Sequence, residues 1–173
     1  ATTSREGYTL EGWFTALTDG TEVTSSTVVG VASDHTLYAH WTVNTYTVTF
    51  DANGGEIPAP EAKEVTFGST YGDLASTSRV GYTFAGWFTA PSGGTEITSS
   101  DGVGTAADHT LYAHWTSNTY MVMFDANGGA TPDPENMQMT FDAAYGLLAS
   151  ASRPGYTFAG WFTAPMDGTE VTS

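Results

Sequence analysis

The chain contains no cysteine and only four basic residues, Arg5, Lys63, Arg79 and Arg153, against nineteen acidic ones. The first absence excludes disulfides and thiolate metal sites. The second leaves no basic stripe to neutralise phosphates, so at a formal net charge of −15 neither nucleic acid nor an anionic lipid surface is an expected partner. No apolar run approaches the roughly 18 to 20 residues that a membrane-spanning helix needs, so membrane insertion is not expected. The signatures of hydrolytic and nucleotide chemistry, G-x-S-x-G, HExxH and the P-loop, are missing too. Carboxylate pairs exist, but none recurs beside an apolar signal that would raise one pKa, and no cofactor is expected. A Lys–Asn isopeptide crosslink is excluded as a property of the repeat, because Lys63 is the single lysine and its counterpart is Met137.

What the chain has is repetition. Sliding the sequence by 74 residues aligns "REGYTLEGWFTALTDGTEVTSS" at Arg5 with "RVGYTFAGWFTAPSGGTEITSS" at Arg79 and "RPGYTFAGWFTAPMDGTEVTS" at Arg153, without an insertion. A period of 74 exceeds the roughly 20 to 50 residues of a solenoid unit and suits a small self-contained domain, so beads on a string are expected. The unit is expected to be 44–117, opening after Trp41-Thr42 and closing on Trp115-Thr116; 1–43 is then the C-terminal part of one repeat and 118–173 the N-terminal part of another. The chain is accordingly expected to be a window of a longer polypeptide. Partial units expose sheet edges and half a core, so their missing halves are expected from neighbouring repeats, from copies of the same chain by strand exchange or head-to-tail assembly, or from a longer polymer.

Within the complete unit, Tyr46–Phe50 and Glu64–Phe67 alternate apolar and polar residues at period two, the pattern of half-buried strands. Tyr82–Phe88 and Thr110–Trp115 are further strands, with a bulge or close backbone approach at Gly86. In "STYGDLASTS", Tyr71 and Leu74 are one helical turn apart, so one short helix is expected to cover a mainly β, α+β fold.

"FDANGG", at Phe50 and again at Phe124, opens like an EF-hand loop. Yet the twelfth position from Asp51 is Ala62, and Glu56 becomes Ala130. The structural reading is a tight first hairpin, with Asn53-Gly54 and Asn127-Gly128 supplying positive φ and Asp51 bonding local N–H groups. Weak surface calcium at Asp51, Asn53, Asp125 and Asn127 is the competing reading; no other metal site is expected. His109 and His114 are five apart on a strand, hence on opposite faces, which argues against zinc. His109 is expected in a turn and His114 on the solvent face. Trp13, Trp87, Trp161, Trp41 and Trp115 are expected to be core. Tyr112, between inward-facing Leu111 and Ala113, and its counterpart Tyr38 are candidate exposed binding aromatics. Arg79 and Arg153 either contact an acidic partner or the adjacent unit, or lay their stems over an aromatic with the guanidinium meeting a local carboxylate.

The ordered motifs "YTVTFDANGG", "GYTFAGWFT" and "LYAHWT" resemble the Listeria–Bacteroides repeat, the family of the internalin B-repeat, over the whole chain as one full and two partial copies. The resemblance implies β-grasp, ubiquitin- or SUMO-like domains in arrays of secreted or cell-wall-attached bacterial surface proteins, many of them adhesins, and implies no enzymatic activity. The expected function is thus a non-catalytic, extracellular structural array that spaces or assembles a surface protein, including as a filament. The alternative is an adhesive module for a host protein, a glycan or a cell-wall polymer.

Overall fold

A computed structural model describes residues 2–172. It divides into two compact units: the chain up to Ser78 with Ala85–His114, and Arg79–Phe84 with Trp115 onward. The first unit holds β1 (Tyr8–Phe14), β2 (Glu22–Val23), β3 (Tyr38–Val43), β4 (Thr45–Asp51), β5 (Ala62–Thr66), β7 (Glu96–Ile97) and most of β6 (Tyr82–Phe88) and β8 (His109–Ser117). The second holds the remainder of β6 and β8 with β9 (Thr119–Met123), β10 (Asn136–Thr140), β11 (Trp161–Phe162) and β12 (Glu170–Val171).

Residues 45–117 form one five-stranded sheet in the order β5-β4-β8-β6-β7. The first and last strands of the repeat, β4 and β8, lie side by side and parallel, with Val48 opposite His109 and Asp51 opposite Tyr112. β5 flanks β4 and β7 flanks β6, both antiparallel. Alternation decides which side chains turn inward: Val48 and Phe50 from β4, Val65 from β5, Trp87 from β6, Leu111 and Ala113 from β8 are all buried. Trp87 sets its ring 4.8 Å from that of Phe50 and donates its indole N–H to Ala75 O at 2.9 Å, so its one polar atom is satisfied inside the core. Full burial of Val48, Val103, Leu111 and Trp87 stabilises the sheet by about 1.5–3 kcal/mol per side chain.

No helix occurs among the described residues. The segment expected to be one, 69–78, is instead fastened strand-like along both sides. Tyr71 N–H donates to Asp101 O and Gly72 N–H to Ser99 O, while Ser76 and Ala59 exchange N–H···O bonds. Gly68 and Gly72 stand at φ 75° and 64°, outside the right-handed helical region, and Lys63 Nζ donates to Tyr71 O and Asp73 O. Backbone groups engaged laterally in this way are not available to a helical ladder. Tyr71 and Ala75 still point inward, so spacing that suits a helix here serves an irregular crossover.

The flanking residues build less. β1 pairs with β2 and β3 in a three-stranded sheet that has no fully buried large side chain, and its register shifts between Leu10 and Gly12, the counterpart of Gly86. After β8, β9 pairs with β10 and β11 with β12, as two separate ladders. Of the eleven buried hydrophobic residues among those described, two, Phe124 and Ala149, fall there; the other nine lie between Val48 and Ala113, so most of the hydrophobic core belongs to the middle repeat.

Candidate functional site

The "FDANGG" run ends β4 in a turn. Asn53 (φ 47°) and Gly54 (φ 90°) take left-handed backbone, Gly55 N–H closes on Ala52 O at 3.0 Å, and Asp51 Oδ1 accepts from Asn53 N–H at 2.8 Å. Asn127 (φ 48°), Gly128 (φ 84°) and Asp125 repeat the arrangement, with Asp125 Oδ1 2.9 Å from Asn127 N. The connection is not a two-residue hairpin, since β5 begins only at Ala62. Turn chemistry places the positive φ pair correctly, but the chain runs on along 76–78 before returning. The Asn53 side chain donates to Pro91 O and Ala113 O, tying the turn to the middle of β8. Among the described residues no three His, Asp or Glu side chains gather in a group able to hold a metal ion.

His109 has its Nδ1 2.9 Å from Ala107 O, which assigns the proton there and leaves Nε2 to accept from the Tyr71 hydroxyl at 2.8 Å. It therefore lies on β8, half-buried, rather than in a turn. Burial pushes the Tyr71 phenol above its ordinary pKa, and the Asp101 charge adds to the rise. Asp101 is itself held below the carboxylate range by the backbone N–H and then the hydroxyl of Thr98. His114 is also half-buried, stacked on Phe88 at 3.9 Å with Nε2 2.9 Å from Ala90 O; the apolar ring finds a flat partner at the sheet surface. His40 does the same with Phe14 and Ala16. Of the tryptophans, Trp87 is fully buried, whereas Trp13, Trp41, Trp115 and Trp161 are half-buried. Tyr112 is half-buried on β8 and Tyr38 is exposed at the start of β3. The guanidinium carbons of Arg5, Arg79 and Arg153 sit 3.7, 3.9 and 4.2 Å from the ring centroids of Tyr8, Tyr82 and Tyr156, each three residues on. Arg153 Nη1 also donates to Asn127 O at 3.3 Å.

Two arrangements escape the sequence patterns. One is a junction. Asn44 N–H donates to Gly7 O, Phe67 N–H donates to Asn44 O, and Thr9 Oγ1 donates to Asn44 Oδ1 at 2.6 Å. Asn118, Gly81, Phe141 and Thr83 repeat these bonds inside the second unit. Gly7 and Gly81 have φ of 74° and 82°, and a Cβ on either would overlap the ring of Phe67 or Phe141. Recurrence of Asn44 and Asn118 at the 74-residue period was the available signal. The second is an open groove of about 840 Å³ in residues 122–171, walled by Phe124, Asn127, Tyr145, Tyr156, Phe158 and Trp161.

Comparison with known proteins bears on these features as a set. The sequence profile of the Listeria-Bacteroides repeat domain matches residues 1–40, 46–114 and 120–173. Internalin H of Listeria monocytogenes is 40% identical over 115 residues, 66% of this chain and 20% of its own length. Two Evansella cellulosilytica proteins, both described by name as membrane proteins and one as Gly-rich, are 35% and 33% identical over 92% of this chain. They are covered over 19% and 24% of their lengths, so the chain spans a quarter or less of the relatives it matches. No helix among the described residues is long and apolar enough to cross a membrane. By its three tandem profile matches, with the turn, the Arg–Tyr pair and the Asn junction recurring at one period, the chain belongs to the Listeria-Bacteroides repeat family.

Proposed function

We propose that the chain is a non-catalytic, load-bearing section of an extracellular bacterial surface protein, in which 44–117 is the folding unit and successive units hold other parts of the protein at a distance. The observation that carries this reading is the parallel pairing of β4 with β8. Tension along the polypeptide pulls β4 from its N-terminal end and β8 from its C-terminal end, in opposite directions along two hydrogen-bonded neighbours. Their bonds are then loaded together rather than one after another, and Leu111 and Ala113 must leave the core at the same step. A strand order with first and last strands adjacent at the centre supports a β-grasp sheet, here with an irregular crossover where a ubiquitin-like domain has its helix. Internalin H, by name, and the membrane-protein names of the other relatives support a surface location. The junctions at Asn44 and Asn118 favour stiff connection over loose beads, with neighbouring repeats as the partners.

Force spectroscopy on tandem units tests this. Pulling from 44 and 117 is expected to give sharp events spaced by about 25 nm, the contour length of some 73 residues. Their force should be well above that for pulling the β4–β5 hairpin open from its ends. Equal forces in the two geometries would sink the load-bearing reading. Saturable binding of a glycan or host protein to the isolated unit, lost in Tyr112→Ala, would favour adhesion instead.

A further inference from the structure

Asn53 combines a left-handed backbone with a side chain that reaches far along the chain. Its amide nitrogen donates to Pro91 O at 2.9 Å, just past the end of β6, and to Ala113 O at 3.0 Å, in the middle of β8. Both Nδ2 hydrogens are thereby committed. The two carbonyls are far from Asn53 in sequence and come to it only while β8 lies in the sheet. The backbone around the amide is held as well, by Asp51 Oδ1 on Asn53 N–H and by Gly55 N–H on Ala52 O. Asn53 is half-buried, whereas Gly54 beside it is exposed to water. Asparagine followed by glycine is also the pair most prone to lose its side-chain amide, because a glycine has no Cβ to obstruct attack by its own backbone nitrogen.

We propose that Asn53-Gly54 is a site of covalent modification, deamidation with water as the reagent, that is shut while β8 is paired and open once β8 leaves the sheet. Gly54 N gives up its proton to base and attacks Asn53 Cγ. The new N–Cγ bond closes a succinimide ring, the Cγ–Nδ2 bond breaks, and Nδ2 takes up a proton and departs as ammonia. Water then adds to either ring carbonyl, and opening the ring leaves aspartate, or isoaspartate with the main chain routed through Cβ and Cγ. Ring closure brings Cγ to bonding distance of Gly54 N and so carries Nδ2 away from both of its acceptors. In the folded repeat that step has to break the two bonds to Pro91 O and Ala113 O first. The product does not re-form them. A carboxylate has no hydrogen to donate, and it would face two carbonyl oxygens that have lost their donor. A reversible opening of β8 is thus made permanent by the chemistry that it admits. The proposal goes beyond the load-bearing reading and does not rest on it, since heat, denaturant and tension all free the same amide. Its failure would leave the force measurement untouched, and equal unfolding forces would leave the chemistry in place.

Peptide mass mapping of the 173-residue chain, aged in mildly alkaline buffer, tests it, with the peptide that holds Asn53 resolved from the one that holds Asn127. Asn53 is expected to deamidate at least about tenfold more slowly in buffer than in unfolding urea, because in the folded chain reaction waits on opening. Ala113→Gly loosens β8 and keeps its carbonyl, so it should raise the rate in buffer about threefold or more while the chain stays folded. Asn53→Asp makes the product directly and tolerates the same left-handed backbone. It should unfold at a lower urea concentration than the parent and exchange the amide hydrogens of β8 faster. Equal rates in buffer and urea, an Asn53 that stays intact in urea, an Ala113→Gly chain that deamidates as slowly as the parent, or an Asn53→Asp chain as stable as the parent would each overturn the proposal.

Discussion

At Gly54 the backbone stands at φ 90°, where a β-branched side chain meets its own carbonyl. Gly54→Val is expected to lower stability by about 2 kcal/mol in urea unfolding. Asp51→Asn, which keeps an acceptor oxygen for Asn53 N–H, should stay within about 0.5 kcal/mol. A calcium loop would reverse that ranking and add a chelator-sensitive melting temperature. Gly81→Ala forces a Cβ into the ring of Phe141 and should cost about 1–3 kcal/mol in the second unit. Combining it with Phe141→Ala should recover about 1 kcal/mol of coupling in a double-mutant cycle. Tyr71 gives a pH signature. Its raised pKa means the fold prefers the neutral phenol, so its contribution is complete below the unfolded value of about 10 and is lost as pH rises through the folded one. The urea midpoint is therefore expected to fall above pH ~10 and to fall less in Tyr71→Phe, which also loses about 1 kcal/mol at neutral pH with the bond to His109.

Among the elements, β8 matters most because its inward side chains have no substitute. Leu111→Ala is expected to cost about 2–5 kcal/mol, and Leu37→Ala, at a half-buried site, distinctly less; denaturant midpoints compare them directly. The four long strands were legible because period-two alternation is a local signal that one buried face imposes. β7 was not, since two residues carry no period. The crossover at 69–78 misled because Tyr71 and Leu74 fit a helical turn, while the bonds that hold it extended come from Ser99, Asp101 and Ala59, far along the chain. Likewise "FDANGG" disclosed its positive φ residues but not the reach of Asn53 to Ala113 O, sixty residues on. The junction and the groove depend on what faces Gly81 and Phe124 in space, which no spacing reports.

For the whole molecule, uneven burial predicts uneven unfolding. With most of the buried hydrophobic residues between Val48 and Ala113, the chain is expected to melt in at least two steps, the flanking sheets first, and hydrogen exchange should protect β4 and β8 longest. A net charge of −15 opposes close approach of copies. Raising ionic strength from 0.01 to 0.15 M shortens the screening length from about 30 to 8 Å, so self-repulsion within the folded chain weakens and its urea midpoint is expected to rise with salt. The Asn44 and Asn118 junctions carry a consequence for how such arrays change over generations. Every residue of the lock recurs at the same offset, so unequal recombination between equivalent codons of two copies rebuilds an intact lock wherever the crossover falls. Such exchange would lengthen or shorten the protein in steps of one repeat, and under the spacing role proposed above its reach would become a heritable quantity that varies without a single new contact being invented.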